Sequence, residues 1–155
     1  MILSRAEFEQ VRIQAENEYP SECCGVVLEK EGFPGQRLLI PCRNIQNELH
    51  AKDPARYARD ARTAYHVDPK DLLRIGHLES DGYRVRVIYH SHSNAGAYFS
   101  ETDKQNALVQ GEPAYPEATY VVVSVVEGRA AKAAAFAWSP EQRNFVPLDF
   151  PRPVR

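Results

Sequence analysis

Between residues 83 and 92 the sequence "YRVRVIYHSH" alternates with a period of two, which predicts a strand carrying Val85, Val87 and Tyr89 on one face and Ile88, His90 and His92 on the other. A different pattern follows at 118–128, "ATYVVVSVVEG", where a continuous β-branched run predicts a strand covered on both faces and central to a sheet. The runs "CGVVLEKEG" and "QRLLIPCRN" are separated by the turn residues of "EGFPG" and predict a hairpin. "TAYHV" reads as a short strand. "RAAKAAAFAW" is rich in helix-forming alanine, but its place after the Glu127–Gly128 turn favours a hairpin partner for the preceding strand.

Helical signals alternate with these runs. Ser4 and Glu7 form a capping-box pattern, and Phe8, Val11, Ile13 and Ala15 follow at roughly helical spacing, so the first helix is expected to reach about Tyr19 and to stop at Pro20. Asp68 and Pro69 open a second helix that carries Leu72, Leu73, Ile75 and Leu78 and closes at Gly82. A third should start at Ser100, run through about Gln110 and end at Gly111 and Pro113. The polar stretch at 44–65 has no clean period and reads as a loop with a short helix, and a loop that long in a small domain is often functional. Alternating strands and helices imply a mixed α/β fold in one domain over residues 1–150, with 151–155 as a tail, and "PLDFPRPVR" at 147–155 reads as loosely held.

Composition narrows the function. A chain of 155 residues with 43% hydrophobic and 26% charged residues and a net charge of −2 has the make-up of an ordinary globular domain. It carries no polybasic stretch, so neither nucleic acid nor a membrane surface is an expected partner. "MILSRAEFEQ" has no apolar core of a signal peptide, "YVVVSVV" is too short to cross a bilayer, and a cytoplasmic setting is expected. Cys23, Cys24 and Cys42 form no disulfide framework and are expected to be reduced.

The histidines decide the chemistry. His90 and His92, two apart on a strand, point to the same side, and Asp103 lies on the first turn of the helix that follows. A catalytic zinc wants three such ligands and one open position. Ser100, three residues before Asp103, would face the same side near the helix N-terminus, where its hydroxyl could donate to a developing oxyanion. H-x-H alone is a weak motif, and Ser-x-x-Asp at a helix start is more often only a cap; their junction is the informative feature. His50, His66 and His77 lack ligand-like neighbours and are read as plain surface or core residues.

His90-x-His92, seven residues, then Ser100-x-x-Asp103, preceded by the glutamate and cysteine-glycine strand of "PSECCGVV", resembles the JAMM motif of the MPN+ metalloproteases. That resemblance covers most of the chain. It implies a cytidine-deaminase-like fold, a mixed β-sheet flanked by helices, with zinc on His90, His92 and Asp103, Glu22 as general base and Ser100 as oxyanion support. Two positions that are often proline in the family are Ser93 and Phe99 here, which implies a looser loop and a displaced Ser100. The short bacterial members it resembles act on ubiquitin-like proteins, notably sulfur carriers, cutting after a C-terminal Gly-Gly. The amide could release an amino acid, a peptide or a lysine side chain, with the 44–65 segment as one wall of the groove. Competing readings are a non-catalytic MPN scaffold and a small-molecule zinc amidase. A zinc deaminase would want H-x-E and P-C-x-x-C, which are absent. The related DNA-repair branch fits poorly with an acidic chain that shows no DNA-binding module, and a Cys23 or Cys24 nucleophile lacks an evident partnering base. Oligomeric state is not legible.

Overall fold

In the computed structural model, which describes residues 1–150, the chain opens with helix α1 (Arg5–Glu18), capped as expected by Ser4 and Glu7 in both directions. The hairpin β1 (Cys24–Lys30) and β2 (Arg37–Cys42) follows, then the short helix α2 (Gln46–Lys52) and helix α3 (Pro69–Ser80). Next come strand β3 (Tyr83–Ser93), helix α4 (Glu101–Asn106), the two-residue strands β4 (Leu108–Val109) and β5 (Glu112–Pro113), and three strands, β6 (Thr119–Val126), β7 (Arg129–Ser139) and β8 (Asn144–Leu148).

Six of these strands form one mixed sheet in the order β2-β1-β3-β6-β7-β8, the mixed α/β architecture expected from the pattern. Only β3 and β6 run parallel. A parallel pair needs a long crossover, and the segment that makes it, 94–118, contains α4. Helix α1 covers one face, where Val11 and Ala15 meet Val27, Val87, Tyr89, Val121 and Val123. On the other face α3 packs Ile75 against Val26, Leu28 and Val85, and a neighbouring cluster joins Phe99 and Ala107 to Tyr120, Val122 and Phe145. No helix among the described residues is long and apolar enough to cross a membrane.

Several expectations are corrected. Val85 does not share the face of Val87 and Tyr89: the β1–β3 register steps from Val27↔Val87 to Leu28↔Val85, so Arg86 is an extra, bulged residue that flips the alternation before it. "TAYHV" forms no strand and holds only a single bridge, Asn44↔Val67. The third helix ends at Asn106, capped by Ala107, and not near Gln110, because Gln110 and Gly111, with φ of 52° and 80°, make the tight turn of the β4–β5 hairpin. Ile13, Leu72 and Leu73 are exposed rather than core positions. Residues 147–150 are not loose either: β8 extends the sheet, and the Phe150 ring meets Phe8 edge-on at 5.9 Å. The rest of the expected tail, 151–155, lies outside the described residues.

The β1–β3 pairing carries a tight steric condition. Gly25 faces Tyr89, and a β-carbon at Gly25 would overlap the phenol ring itself. The Tyr89 hydroxyl donates to Gln14 Oε1 at 2.6 Å, while Gln14 Nε2 donates to the Cys24 carbonyl at 3.0 Å, so the ring is fixed between sheet and helix and cannot give way. Overpacking of this kind costs about 1–3 kcal/mol. Gly25→Ala is therefore expected to lower the urea-unfolding free energy by about 2 kcal/mol or more with the slope unchanged; a variant within about 0.5 kcal/mol of the parent would show that the phenol ring can move.

Candidate metal centre

His90 and His92 stand near the C-terminal end of β3, where β1 and β6 hold the strand on both sides through Cys24↔His90, His90↔Val122 and His92↔Ser124. Strand alternation sends both imidazoles to the face that α3 and the crossover segment cover. The β1–β3 ladder continues past Cys24: the Ser91 N–H donates to the Cys23 carbonyl at 3.1 Å and the Cys23 N–H to Ser91 Oγ at 2.7 Å. Extended by one more same-face pair, that register sets Glu22 across from His92.

The crossover delivers the third donor. Ser100 is the N-cap of α4, accepting from the Asp103 N–H at 3.0 Å, and Asp103 Oδ2 accepts from the Ser100 N–H at 3.0 Å. The same Oδ2 lies 3.2 Å from His90 Nε2 and 3.2 Å from His92 Nε2, and those two nitrogens are 3.2 Å apart. Three donor atoms thus form an equilateral triangle. A tetrahedral ion with bonds of about 2.0 Å spaces its ligands by roughly 3.3 Å, so the triangle has the size of one face of such a site. Two imidazoles and one carboxylate suit zinc, and the donor set therefore fits that ion. Among the described residues this is the one group of histidine, cysteine and carboxylate side chains so arranged.

The surroundings prepare the donors. His92 Nδ1 sits 2.9 Å from the Gly96 carbonyl, which favours a proton there and leaves the Nε2 lone pair free. The His90 ring is fully buried and stacks on Tyr65 at 4.8 Å between centroids. Burial alone would raise the Asp103 carboxyl, but hydrogen bonds from the two histidines and the Ser100 N–H hold it well below the usual carboxylate range. His90 is shifted down by burial, whereas His92 is shifted up: burial opposes its charge, and the contacts to Asp103, Gly96 and Glu22 outweigh it. Glu22 is 5% exposed, and burial pushes its carboxyl up to about 8, opposed by His92 and Arg59 and reinforced by the Asp103 charge. A bound dication would reverse that logic and favour the carboxylate.

Residues 53–64 form a strap beside the donors, tied down by side chains that sequence reasoning passed over. Asn44 Nδ2 donates to the carbonyls of Glu22 at 2.9 Å and Ala64 at 3.2 Å, while its Oδ1 accepts from the N–H groups of Gln46 and His66, each at 3.0 Å. Gln46 Nε2 donates to the Arg59 carbonyl at 2.9 Å, Asn47 Oδ1 accepts from the Ala61 N–H at 2.8 Å, and the Glu22 N–H donates to the Ala61 carbonyl at 2.7 Å. The strap walls a chamber of about 170 Å3 that contains Glu22, His92, Ser100 and Asp103, and a groove of about 560 Å3 that shares Arg59, Tyr65 and Asp103 with it. Residues of the 44–65 segment, whose short helix is α2, thus line both cavities.

Two expected weaknesses do not materialise. Ser93 Oγ donates to the Pro20 carbonyl at 2.7 Å, and Phe99 is buried against Tyr120, Phe136 and Phe145, so the loop is anchored without the two prolines and Ser100 is not displaced from its cap. The thiols of Cys23, Cys24 and Cys42 are buried and pushed far up by desolvation, which removes them as nucleophiles at neutral pH. His50, on α2, contacts the Tyr57 carbonyl of the strap at 2.7 Å, and among the described residues His66 and His77 join no donor cluster.

A model of the prokaryotic homologs of the JAB domain matches residues 4–140. A protein named CysO-cysteine peptidase, from Mycobacterium tuberculosis and Mycobacterium bovis, is 32% identical over 111 residues, covering 71% of this chain and 63% of that protein. A protein named Tail tip assembly protein K, of Escherichia phage N15, is 33% identical over 94 residues, or 61% of this chain and 31% of that protein. The chain thus spans just under two thirds of the mycobacterial relatives. Among solved structures, a Salinibacter ruber protein superposes with a TM-score of 0.60 at 25% identity, covering 97% of this chain and 90% of that one. A Desulfitobacterium hafniense protein gives 0.63 at 16% identity, covering 94% and 88%, a likeness of fold alone.

The triangle makes metal uptake the direct test. Purified protein supplied with zinc is expected to hold about one ion per chain by mass spectrometry, and His92→Ala about none. Because the raised His92 binds its proton at higher pH than a free imidazole, protons compete with the metal, and zinc affinity should rise with pH through the histidine range. At zinc about 1,000-fold above its dissociation constant, the fold should gain about 4 kcal/mol. A wild-type protein that takes up no zinc would remove the site.

Proposed function

Because the chain belongs to the family of prokaryotic homologs of the JAB domain, we propose that it is a zinc-dependent peptidase that cuts the amide bond after the C-terminal Gly-Gly of a sulfur-carrier or other ubiquitin-like protein. The observation that carries this reading is the convergence of His90, His92 and Asp103 on one point beside a buried Glu22. The mycobacterial relatives, named CysO-cysteine peptidase, support the substrate class. A scaffold without catalysis has no use for a complete donor triangle with a carboxylate at its edge. The reduced Cys23, Cys24 and Cys42 support a cytoplasmic setting.

His90, His92 and Asp103 would hold the ion. When bound, zinc supplies Lewis-acid chemistry to the reacting carbonyl and its attacking water. Glu22 takes the proton of that water on a carboxylate oxygen and returns it to the leaving nitrogen, acting as general base and then general acid. Burial alone pushes its carboxyl up, and a bound dication would draw it back toward the carboxylate, the form that accepts a proton. Ser100 Oγ already accepts from the Asp103 N–H, so its own O–H remains to donate to the oxyanion. The buried imidazole wall and the Tyr65 ring exclude bulk water from one side. The groove beside the chamber suits an extended glycine tail, which lacks the side chains that would obstruct a close approach.

Glu22→Gln should lose hydrolysis of Gly-Gly-tailed conjugates while retaining zinc, whereas Asp103→Ala should lose both. Ser100→Ala should lower kcat by about 10²-fold with little change in KM, the loss typical of one oxyanion donor, and should also lose about 1 kcal/mol of stability with the cap; Ser100→Thr, which keeps cap and hydroxyl, should recover both. Full activity in Glu22→Gln would remove that residue from the mechanism.

A further inference from the structure

Three arginines, Arg56, Arg59 and Arg62, line the strap beside the site, and they are not equivalent. Arg56 stacks on Tyr57 at 5.3 Å and borders the outer groove only. Arg62 reaches the chamber, but its guanidinium is committed to Asp60 Oδ2 at 2.9 and 3.1 Å. Arg59 borders both the chamber and the groove, and among the described residues it pairs with no carboxylate: its only hydrogen bond from the guanidinium goes to the Thr63 carbonyl at 3.4 Å. Its charge nonetheless acts on the Glu22 carboxyl, which places it within electrostatic reach of the reacting groups.

The backbone under Arg59 is fixed although its side chain is exposed. The carbonyls of Tyr57 and Arg59 and the N–H of Ala61, at alternate positions, are held by His50, Gln46 and Asn47. A surface loop with no other role does not need three side chains of a neighbouring helix to hold it. The chamber itself, at about 170 Å3, is smaller than the ~300–1,000 Å3 of a drug-sized ligand site, so what it admits on the leaving side is of one-residue scale.

We propose, resting on the carrier-peptidase reading, that Arg59 binds the free α-carboxylate of a single amino acid on the leaving side of the scissile bond. The substrate class is then a carrier tail ending in Gly-Gly-amino acid, and not an isopeptide to a lysine side chain. In the first case the α-carboxylate lies one residue, about 3.8 Å, beyond the last glycine, inside the chamber with the reacting groups. A lysine Nζ leaving group presents only methylenes there, and a guanidinium would face no partner. Hydrolysis consumes one water, breaks the C–N bond, and leaves a glycine carboxylate on the carrier and a free amino acid whose amine takes the proton from Glu22. An Arg–carboxylate pair is planar and two-pronged, which selects a terminal carboxylate over a carboxamide.

The test compares three conjugates of one Gly-Gly tail on zinc-loaded enzyme: cysteine with a free carboxylate, cysteine amide, and lysine linked through Nζ. The wild type should prefer the free acid over the amide by about tenfold or more in kcat/KM, the size of a charge-assisted hydrogen bond. That ratio should fall toward one in Arg59→Ala and recover in part in Arg59→Lys. Dissociation constants of the acid and amide peptides for metal-free protein should show the same ratio and the same collapse. An unchanged ratio in Arg59→Ala, equal losses for acid and amide, or a wild type that favours the lysine conjugate overturns the proposal, equal losses marking Arg59 as a partner of Glu22 or of an acidic carrier surface. Cleavage of none of the three by zinc-loaded wild type instead overturns the peptidase reading, and this assignment with it.

Discussion

Gly25 lies against the Tyr89 phenol ring across β1 and β3, and the register that this pairing enforces decides where Glu22 and the two histidines stand. Slipping an antiparallel strand by one residue turns each side chain to the opposite face. Here a slip would carry Glu22 away from His92 and would press a side-chain-bearing residue against the phenol. The Tyr89 hydroxyl, bonded to Gln14 on α1, couples that register to the first helix, so the helix, the strand pair and the placement of the two histidines are specified together. The bulge at Arg86 lies on the far side of this point from the histidines, and the change of face it introduces stays away from the site.

Asp103 answers a second constraint. One carboxylate oxygen receives the Ser100 N–H that completes a capping box and also faces both imidazoles, so the feature that starts α4 is the feature that aims a ligand. Reading the serine-aspartate pair as a mere cap and reading it as a site element are therefore not rivals. Asp103 and Glu22 are both buried beside one chamber, and burial together with the Asp103 charge pushes the Glu22 carboxyl toward its neutral form unless positive charge offsets it. The histidines and Arg59 supply part of that charge. A divalent cation would supply the rest, which makes metal binding and the stability of this region a single equilibrium.

Local signals made much of this legible. The β-branched run of β6, the capping boxes at Ser4 and Ser100, and the alternation that put His90 and His92 on one face each depend on residues close in sequence. What was not legible depends on bonds between distant segments or on a local choice that two structures can satisfy. Gly111 can end a helix or, with Gln110, close a hairpin, and only the pairing of Val109 with Glu112 decides between them. The bulge at Arg86 leaves no mark in a hydrophobic pattern. β8 follows a turn with little apolar content, and its place in the sheet comes from Phe145 filling a gap beside Tyr120 and Trp138, a shape that exists only after the other strands have assembled.

The strap at 53–64 was the least legible part for the same reason, and it is the part that shapes the entrance. It has no periodic apolar face because packing does not hold it; Asn44, Gln46, Asn47 and His50 do, through hydrogen bonds to its backbone. Such a segment can change its outward side chains without disturbing the sheet, since its fixed points are main-chain atoms. The three donors and Glu22, by contrast, stand on β3, on the first turn of α4 and just before β1, where a shift of one residue would part them. On the proposed peptidase reading, this division would let one frame accept different leaving groups: the sheet would fix what is done to the bond, while exposed side chains on a pinned strap would decide which bond is brought to it.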